Sequence, residues 1–223
     1  PIAIKKSHKI FTVSENTTND LVMFRPEARE KVITIPLTSK FNKCNYDLNH
    51  VPDKIIKISK KYKFILFVGT FEPRKNLQNL IIAFLESSEV THNSVNLLIV
   101  GAKGWGKRLS DESIIKHPNF KKIFFLNYLS DNSLSYLYRK ALFFAYPSLY
   151  EGYGLPIIEA ISHGKAILTS NISSMPEVAR NSGYYVDPNS IKSIKKAINK
   201  LISNKNLLIS LEDNSKKRKL SSW

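Results

Sequence analysis

What this 223-residue chain lacks narrows its class. It has one cysteine, Cys44, so an internal disulfide is excluded and a reducing compartment fits. No matching nucleophile constellation surrounds Cys44 in sequence, which leaves a nucleophilic role unsupported. No apolar run is long enough to span a bilayer. The opening PIAIKKSHKIF lacks the apolar core of a signal peptide. It also lacks an initiator Met, from which a processed or truncated chain is expected. Acidic residues are scarce, 18 Asp and Glu against 34 Lys and Arg, giving a formal charge of +16. The cations are scattered, with short runs at 60–61, 195–196 and 216–219. None is interleaved with aromatics as a base-stacking surface requires. The charge therefore reads as a basic surface with some attraction to anionic membranes, and not as a nucleic-acid site.

From residue 63 onward the pattern is rhythmic. Short apolar runs recur as FILFV (64–68), LLIV (97–100), IFFL (123–126), LFFAY (142–146), AIL (166–168) and YYV (184–186). They do not alternate with polar residues, so they read as strands buried on both faces of a parallel sheet. Helical spacings fall between them. Leu77, Leu80, Ile81, Phe84 and Leu85 follow a candidate N-cap at Asn76. Leu134, Leu137, Tyr138 and Ala141 follow SDNS. Ile191, Ile194, Ile198, Leu201 and Ile202 follow DPNS. The alternation predicts a doubly wound α/β domain.

The first 62 residues stand outside this rhythm. IFTV (10–13) and KVITI (31–35) read as strands flanking a short helix capped by Ser14 or Asn16. Two strands and a helix cannot bury a core by themselves. Residues 1–48 are therefore expected to be the end of a preceding domain, 49–62 a linker, and 63–223 the main domain.

In an open parallel sheet, ligands bind where strands end and helices begin. Two such junctions stand out. In FVGTFEPRKNL (67–77) a buried strand ends at Gly69, and Arg74 and Lys75 precede a helix. Cations there oppose the helix macrodipole, but they suit a diphosphate held beside helix-start amides. In YPSLYEGYGLPIIEA (146–160), Gly152 and Gly154 permit a tight turn and Pro156 suits the first turn of a helix. Glu151 and Glu159 stand eight residues apart, one before that helix and one a turn into it, and both are expected to face one cleft. Carboxylates beside an anion site suit hydroxyl donors such as ribose or a sugar. A pair of carboxylates hydrolysing a glycoside is the other reading, but it accounts for neither the glycine turn nor Arg74 and Lys75.

The stretches PSLYEGYGLPIIEAISHGKAILTSNISSMPEVA (147–179), FVGTFEPRKNLQNLIIAF (67–84), GAKGW (101–105), FLNYLSDNSLSYLYRKA (125–141) and YYVDPNS (184–190) resemble glycosyltransferase family 4 in the family's order. The E-x7-E spacing is weak alone and specific with GYGLP inside it and PRKN upstream. KIFTVSENTTNDLVMF resembles the end of that family's N-terminal domain, and SSW (221–223) the FSW before its last helix.

The resemblance implies the GT-B fold: a Rossmann-like C-terminal domain with a partial N-terminal domain, lacking the final helix. It implies a retaining transferase that uses a nucleotide diphosphate sugar and no metal, and the chain contains no Asp-x-Asp. Arg74 and Lys75 would hold the diphosphate, with amides around Gly154 and Leu155. Glu159 would bind ribose hydroxyls. Glu151 would contact the donor sugar, and Tyr128 and Leu129 would lie near the base. Gly69, Gly152 and Tyr153 would complete the donor site.

The acceptor would be a glycan or lipid-linked molecule. The EPRKN style resembles mannosyl transferases of surface polysaccharide assembly, which suggests GDP-mannose and a cytoplasmic place at the inner membrane face. Asn127 and Arg180 depart from the family, which commonly has Gly at both. His8, His50, His92, His117 and His163 match no family motif and read as surface or structural. Other readings are a non-catalytic nucleotide-sugar-binding remnant, a sugar-nucleotide epimerase and a basic nucleic-acid binder.

Overall fold

A computed structural model describes residues 2–41, 46–102 and 112–220. Cys44, the end of GAKGW and the SSW stretch lie outside the described residues. The N-terminal segment comprises α1 (Ile2–Lys6), β1 (Ile10–Thr12), α2 (Glu15–Phe24) and β2 (Val32–Thr34). After it come α3 (Asp53–Lys61), β3 (Lys63–Val68), α4 (Leu77–Leu85), α5 (Ser88–His92), β4 (Val95–Val100) and α6 (Glu112–Ile115). The chain continues through β5 (Ile123–Leu126), α7 (Asp131–Lys140), β6 (Phe144–Tyr146), α8 (Leu155–Ser162) and β7 (Ile167–Ser170). It closes with α9 (Met175–Ala179), β8 (Gly183–Val186), α10 (Ile191–Ser203) and α11 (Lys205–Lys217).

β1 and β2 form a two-stranded parallel sheet. The main sheet has six strands, all parallel, in the order β5-β4-β3-β6-β7-β8. The expectation of strands buried on both faces holds best at the centre. Every residue of β4, β6 and β7 is buried, whereas the edge strands β5 and β8 are only partly so. The Ser14 cap offered by the sequence forms, and two more serines cap helices. Ser14, Ser130 and Ser190 accept the N–H of Thr17, Ser133 and Ser193 respectively.

Two local expectations are corrected. Asn76 does not cap α4 with its side chain: its backbone is left-handed (φ 57°), and its amide donates to the carbonyls of Pro147 (2.9 Å) and Pro188 (2.7 Å). It joins three loops. Residues 49–62, expected as a linker, contain α3, whose Ile55 is buried in the core and whose Ser59 meets the Tyr136 hydroxyl at 2.7 Å.

The strand order reverses between β3 and β6: the chain first builds outward through β4 and β5, then returns to the other side of β3. That reversal opens a crevice at the carboxyl ends of β3 and β6. Gly101 shapes its floor, since a Cβ there would stand 2.0 Å from the Gly69 carbonyl oxygen.

Arg180 takes φ 48° and ψ −135°, a conformation open to glycine and strained for any side chain. This is where the resembling family commonly has Gly. Arg180→Gly is expected to stabilise the fold by about 1 kcal/mol, a rise in Tm of about 2–4 °C in a thermal melt. An unchanged or lower Tm would show that the strain is relieved elsewhere.

Candidate active site

The segment after β3 and the loop after β6 meet at the crevice. A 310 turn, Pro73–Lys75, follows β3, and the Arg74 carbonyl accepts the Leu149 N–H at 2.7 Å. Glu151 then reaches back across the strand ends. Its Oε2 accepts Arg74 Nη1 at 2.6 Å, and its Oε1 accepts Lys75 Nζ at 2.7 Å and the Tyr146 hydroxyl at 2.9 Å. Lys75 is 7% exposed and Glu151 5%. Lys75 is thus a buried partner of Glu151 and not a solvated helix-start charge. Its ammonium also donates to the Tyr146 hydroxyl. Burial lowers the Lys75 pKa, with Glu151 pulling the other way. Burial also holds the Tyr146 phenol well above its ordinary value, as does the Glu151 charge it faces. Arg74 remains half in solvent and has a second partner in Glu72, at 2.8 Å.

The Glu151 backbone is fastened from β7's side. The Ser173 hydroxyl accepts the Glu151 N–H at 3.1 Å and lies 2.9 Å from its carbonyl, to which Ser174 also donates at 3.0 Å. Ser174 further lies 3.0 Å from the Tyr153 carbonyl. These serines, and Tyr146, were missed in the sequence because nothing local distinguishes them from loop and strand residues.

Gly154 precedes α8 with φ 96°, and Pro156 occupies the first turn. The helix start carries no side-chain cap; Pro156 has no N–H and the Ile157 N–H donates to the Gly154 carbonyl at 2.9 Å, so an anion there would meet the amides of Gly154 and Leu155. Leu155 is exposed there and Tyr153 is buried beneath. Gly69 lies at the end of β3, and Tyr128, 82% exposed, stands on the loop after β5 beside the partly buried Leu129.

Glu159 faces a different neighbour. It accepts the hydroxyl of the buried Tyr138 at 3.0 Å, on α7. Burial raises its pKa, against that hydrogen bond and the charge of Lys40. The two carboxylates therefore do not meet. A row of rings runs between their phenol partners: Tyr138 to Phe144 at 5.5 Å and Phe144 to Tyr146 at 5.6 Å. His163 stacks on Tyr138 at 5.1 Å, and both its ring nitrogens are bonded, to the Glu159 carbonyl and to Ser135. It is structural. Among the described residues no three His, Cys, Asp or Glu side chains are grouped to hold a metal.

The family model for glycosyl transferases group 1 matches residues 52–218. This chain belongs to that family. The O-antigen chain mannosyltransferase B of Escherichia coli is a relative, 32% identical over 83% of this chain and 49% of its own length. The O-antigen chain mannosyltransferase RfbU of Salmonella typhimurium is 28% identical over 88% of this chain and 52% of its own. The chain thus spans about half the length of these relatives. Solved glycosyltransferases share the fold. WaaG, involved in lipopolysaccharide biosynthesis, matches with TM-score 0.77 and 19% identity over 93% of this chain and 57% of its own. Anabaena Alr3699/HepE, solved with UDP-glucose, matches with TM-score 0.80 and 17% identity over 96% and 59%. The fold is therefore GT-B.

Glu159 is electrostatically unfavourable where it stands. Its folded pKa lies above its ordinary value of 4.5, so the stability this group allows is full below that value and is lost as pH rises through the folded pKa. Glu159→Gln is expected to melt higher than wild type at pH 7, with the gap closing near pH 4, by circular dichroism. A gap independent of pH would remove burial of the charge as its cause.

Proposed function

We propose that the chain carries the donor site of a retaining glycosyltransferase that moves mannose from GDP-mannose onto a glycan or lipid-linked acceptor in surface polysaccharide or lipopolysaccharide assembly. The observation that carries this reading is the convergence of Arg74, Lys75 and Glu151 at the strand-order reversal, beside the uncapped start of α8. Membership of the family and the O-antigen mannosyltransferases among the relatives support it. HepE, a fold neighbour, was solved with a uridine nucleotide, so both bases belong in any test.

In this reading the diphosphate sits between Arg74, Lys75 and the amides of Gly154 and Leu155. As the bond from the anomeric carbon to the phosphate oxygen breaks, negative charge grows on the leaving diphosphate, and these groups stabilise it. The acceptor hydroxyl attacks from the same face and its proton passes to the departing phosphate, which gives retention. Glu151 faces the sugar hydroxyls and the positive charge developing at the anomeric carbon. Glu159 binds the ribose hydroxyls, and Tyr128 and Leu129 flank the base. The cations take the place a metal would hold, so no cofactor is required.

Calorimetric titration of the chain with GDP, UDP, GDP-mannose and UDP-glucose tests this. Binding of one nucleotide is expected. Arg74→Ala and Glu159→Ala are each expected to weaken it about 10- to 100-fold, the worth of a charged hydrogen bond of about 1.5–3 kcal/mol. Absence of binding to all four would overturn the donor-site reading. Binding with little or no transfer is expected of this stretch, which spans about half the length of its relatives, and transfer at a normal rate would count against that expectation.

No helix among the described residues is long and apolar enough to cross a membrane. The +16 charge motivates a peripheral place on the anionic inner leaflet, where lipid-linked acceptors sit. The protein is expected to sediment with anionic vesicles and be released by salt. Equal partitioning to neutral vesicles would remove the idea.

A further inference from the structure

The α2 helix belongs to the N-terminal segment, yet its start is completed by a residue far along the chain. Ser14 caps it in the ordinary way. The remaining first-turn amides point at Glu177 of α9. Glu15 N–H lies 3.1 and 3.0 Å from the two carboxylate oxygens, and Asn16 N–H lies 3.4 Å from Oε2. A carboxylate there satisfies donors that have no partner within the helix and complements its dipole.

The same end of α2 grips the loop that carries Glu151. The hydroxyls of Ser14 and Thr17 lie 2.6 and 3.1 Å from the Gly152 carbonyl oxygen, each placed to donate. Tyr150 donates to Asp20 of α2 at 2.6 Å. Ser14 is fully buried in this contact. Residues 150 and 152, on either side of Glu151, are thus bonded to the N-terminal segment. With Ser173 and Ser174 on the Glu151 N–H and carbonyl, these bonds anchor the chain on both sides of Glu151 as well as at it.

We propose that Glu177 is a positioning residue: by seating the start of α2 it locks the loop around residues 150–152 and so sets the Glu151 carboxylate against Arg74 and Lys75. Its importance for ligand binding rests on the donor-site reading above. The seating itself is a matter of hydrogen bonds, measurable with no ligand present.

The experiment uses the full chain and two readouts, amide hydrogen exchange and calorimetric titration with GDP and UDP. Glu177→Ala is expected to speed exchange at Glu15, at Asn16 and across residues 150–154 about tenfold or more, and, because the Gly154 amide on that loop and the Lys75 ammonium lose their fixed geometry, to weaken nucleotide binding about five- to tenfold despite the loss of competition from Glu151. Glu177→Gln, which keeps one acceptor oxygen, falls between it and wild type. Thr17→Val loosens the same loop, and the double variant with Glu177→Ala is no weaker than the worse single, because both break one seating. A purely structural Glu177 would lower the melting temperature without moving the loop. Unchanged exchange at 150–154 in Glu177→Ala, or in Glu177→Gln with Thr17→Val should the first not fold, overturns the proposal. So do fully additive losses in the double variant. If wild type binds neither nucleotide, the donor-site reading fails, while the exchange arm still decides the seating.

Discussion

The ion cluster of Glu151 with Arg74 and Lys75 is the interaction around which the crevice is arranged. A buried ammonium without a counter-charge is strongly unfavourable, and a lone buried carboxylate equally so. Each charge is tolerable only because the other is within 2.7 Å. That requirement ties the turn after β3 to the loop after β6, whose strands are neighbours in the sheet though 76 residues separate Lys75 from Glu151. The loop conformation, the serines that hold its backbone and the tilt of Tyr146 are all consistent with meeting that one demand.

Beneath the cluster the sheet supplies rigidity. Phe144 and Tyr146 share a face of β6, two residues apart, and with Tyr138 they form a continuous row under both carboxylates. Two rings in this row end in a hydroxyl that bonds a carboxylate, so the same apolar packing that fills the core also aims the polar chemistry. Glu151 and Glu159 are thus fixed independently, one through a strand and one through a helix, and their spacing along the chain has little to do with how they are held.

Much of this was legible in the sequence. Non-alternating runs such as LLIV and LFFAY announce strands buried on both faces, and serine before an aliphatic stripe announces a helix start. Arg74, Lys75, Glu151 and Glu159 were singled out because Gly and Pro around them mark strand-to-helix turns, and the structure brings the first three together. The partnership of Glu151 with Lys75 was not, since it joins residues far apart and exists only once β6 lies against β3. α3 was overlooked because DKIIKISKK is mostly charged, although Ile55 and Ile58 carry a helical spacing. Asn76 was misjudged for a related reason: a residue that favours caps also tolerates a left-handed backbone, and here the fold uses the second property to join loops. At Arg180 the family resemblance implied only that a glycine is customary, while the backbone angle gives a reason.

Glu151 already neutralises much of the charge that Arg74 and Lys75 offer. Any anion arriving at these cations must displace or share a partner that is in place. Binding there is an exchange of one counter-ion for another, and its strength is the difference between two ion pairs. Such a site discriminates by how many oxygens a ligand presents at once: a single carboxylate or chloride gains little over Glu151, whereas a diphosphate spanning both cations and the start of α8 gains at several points together.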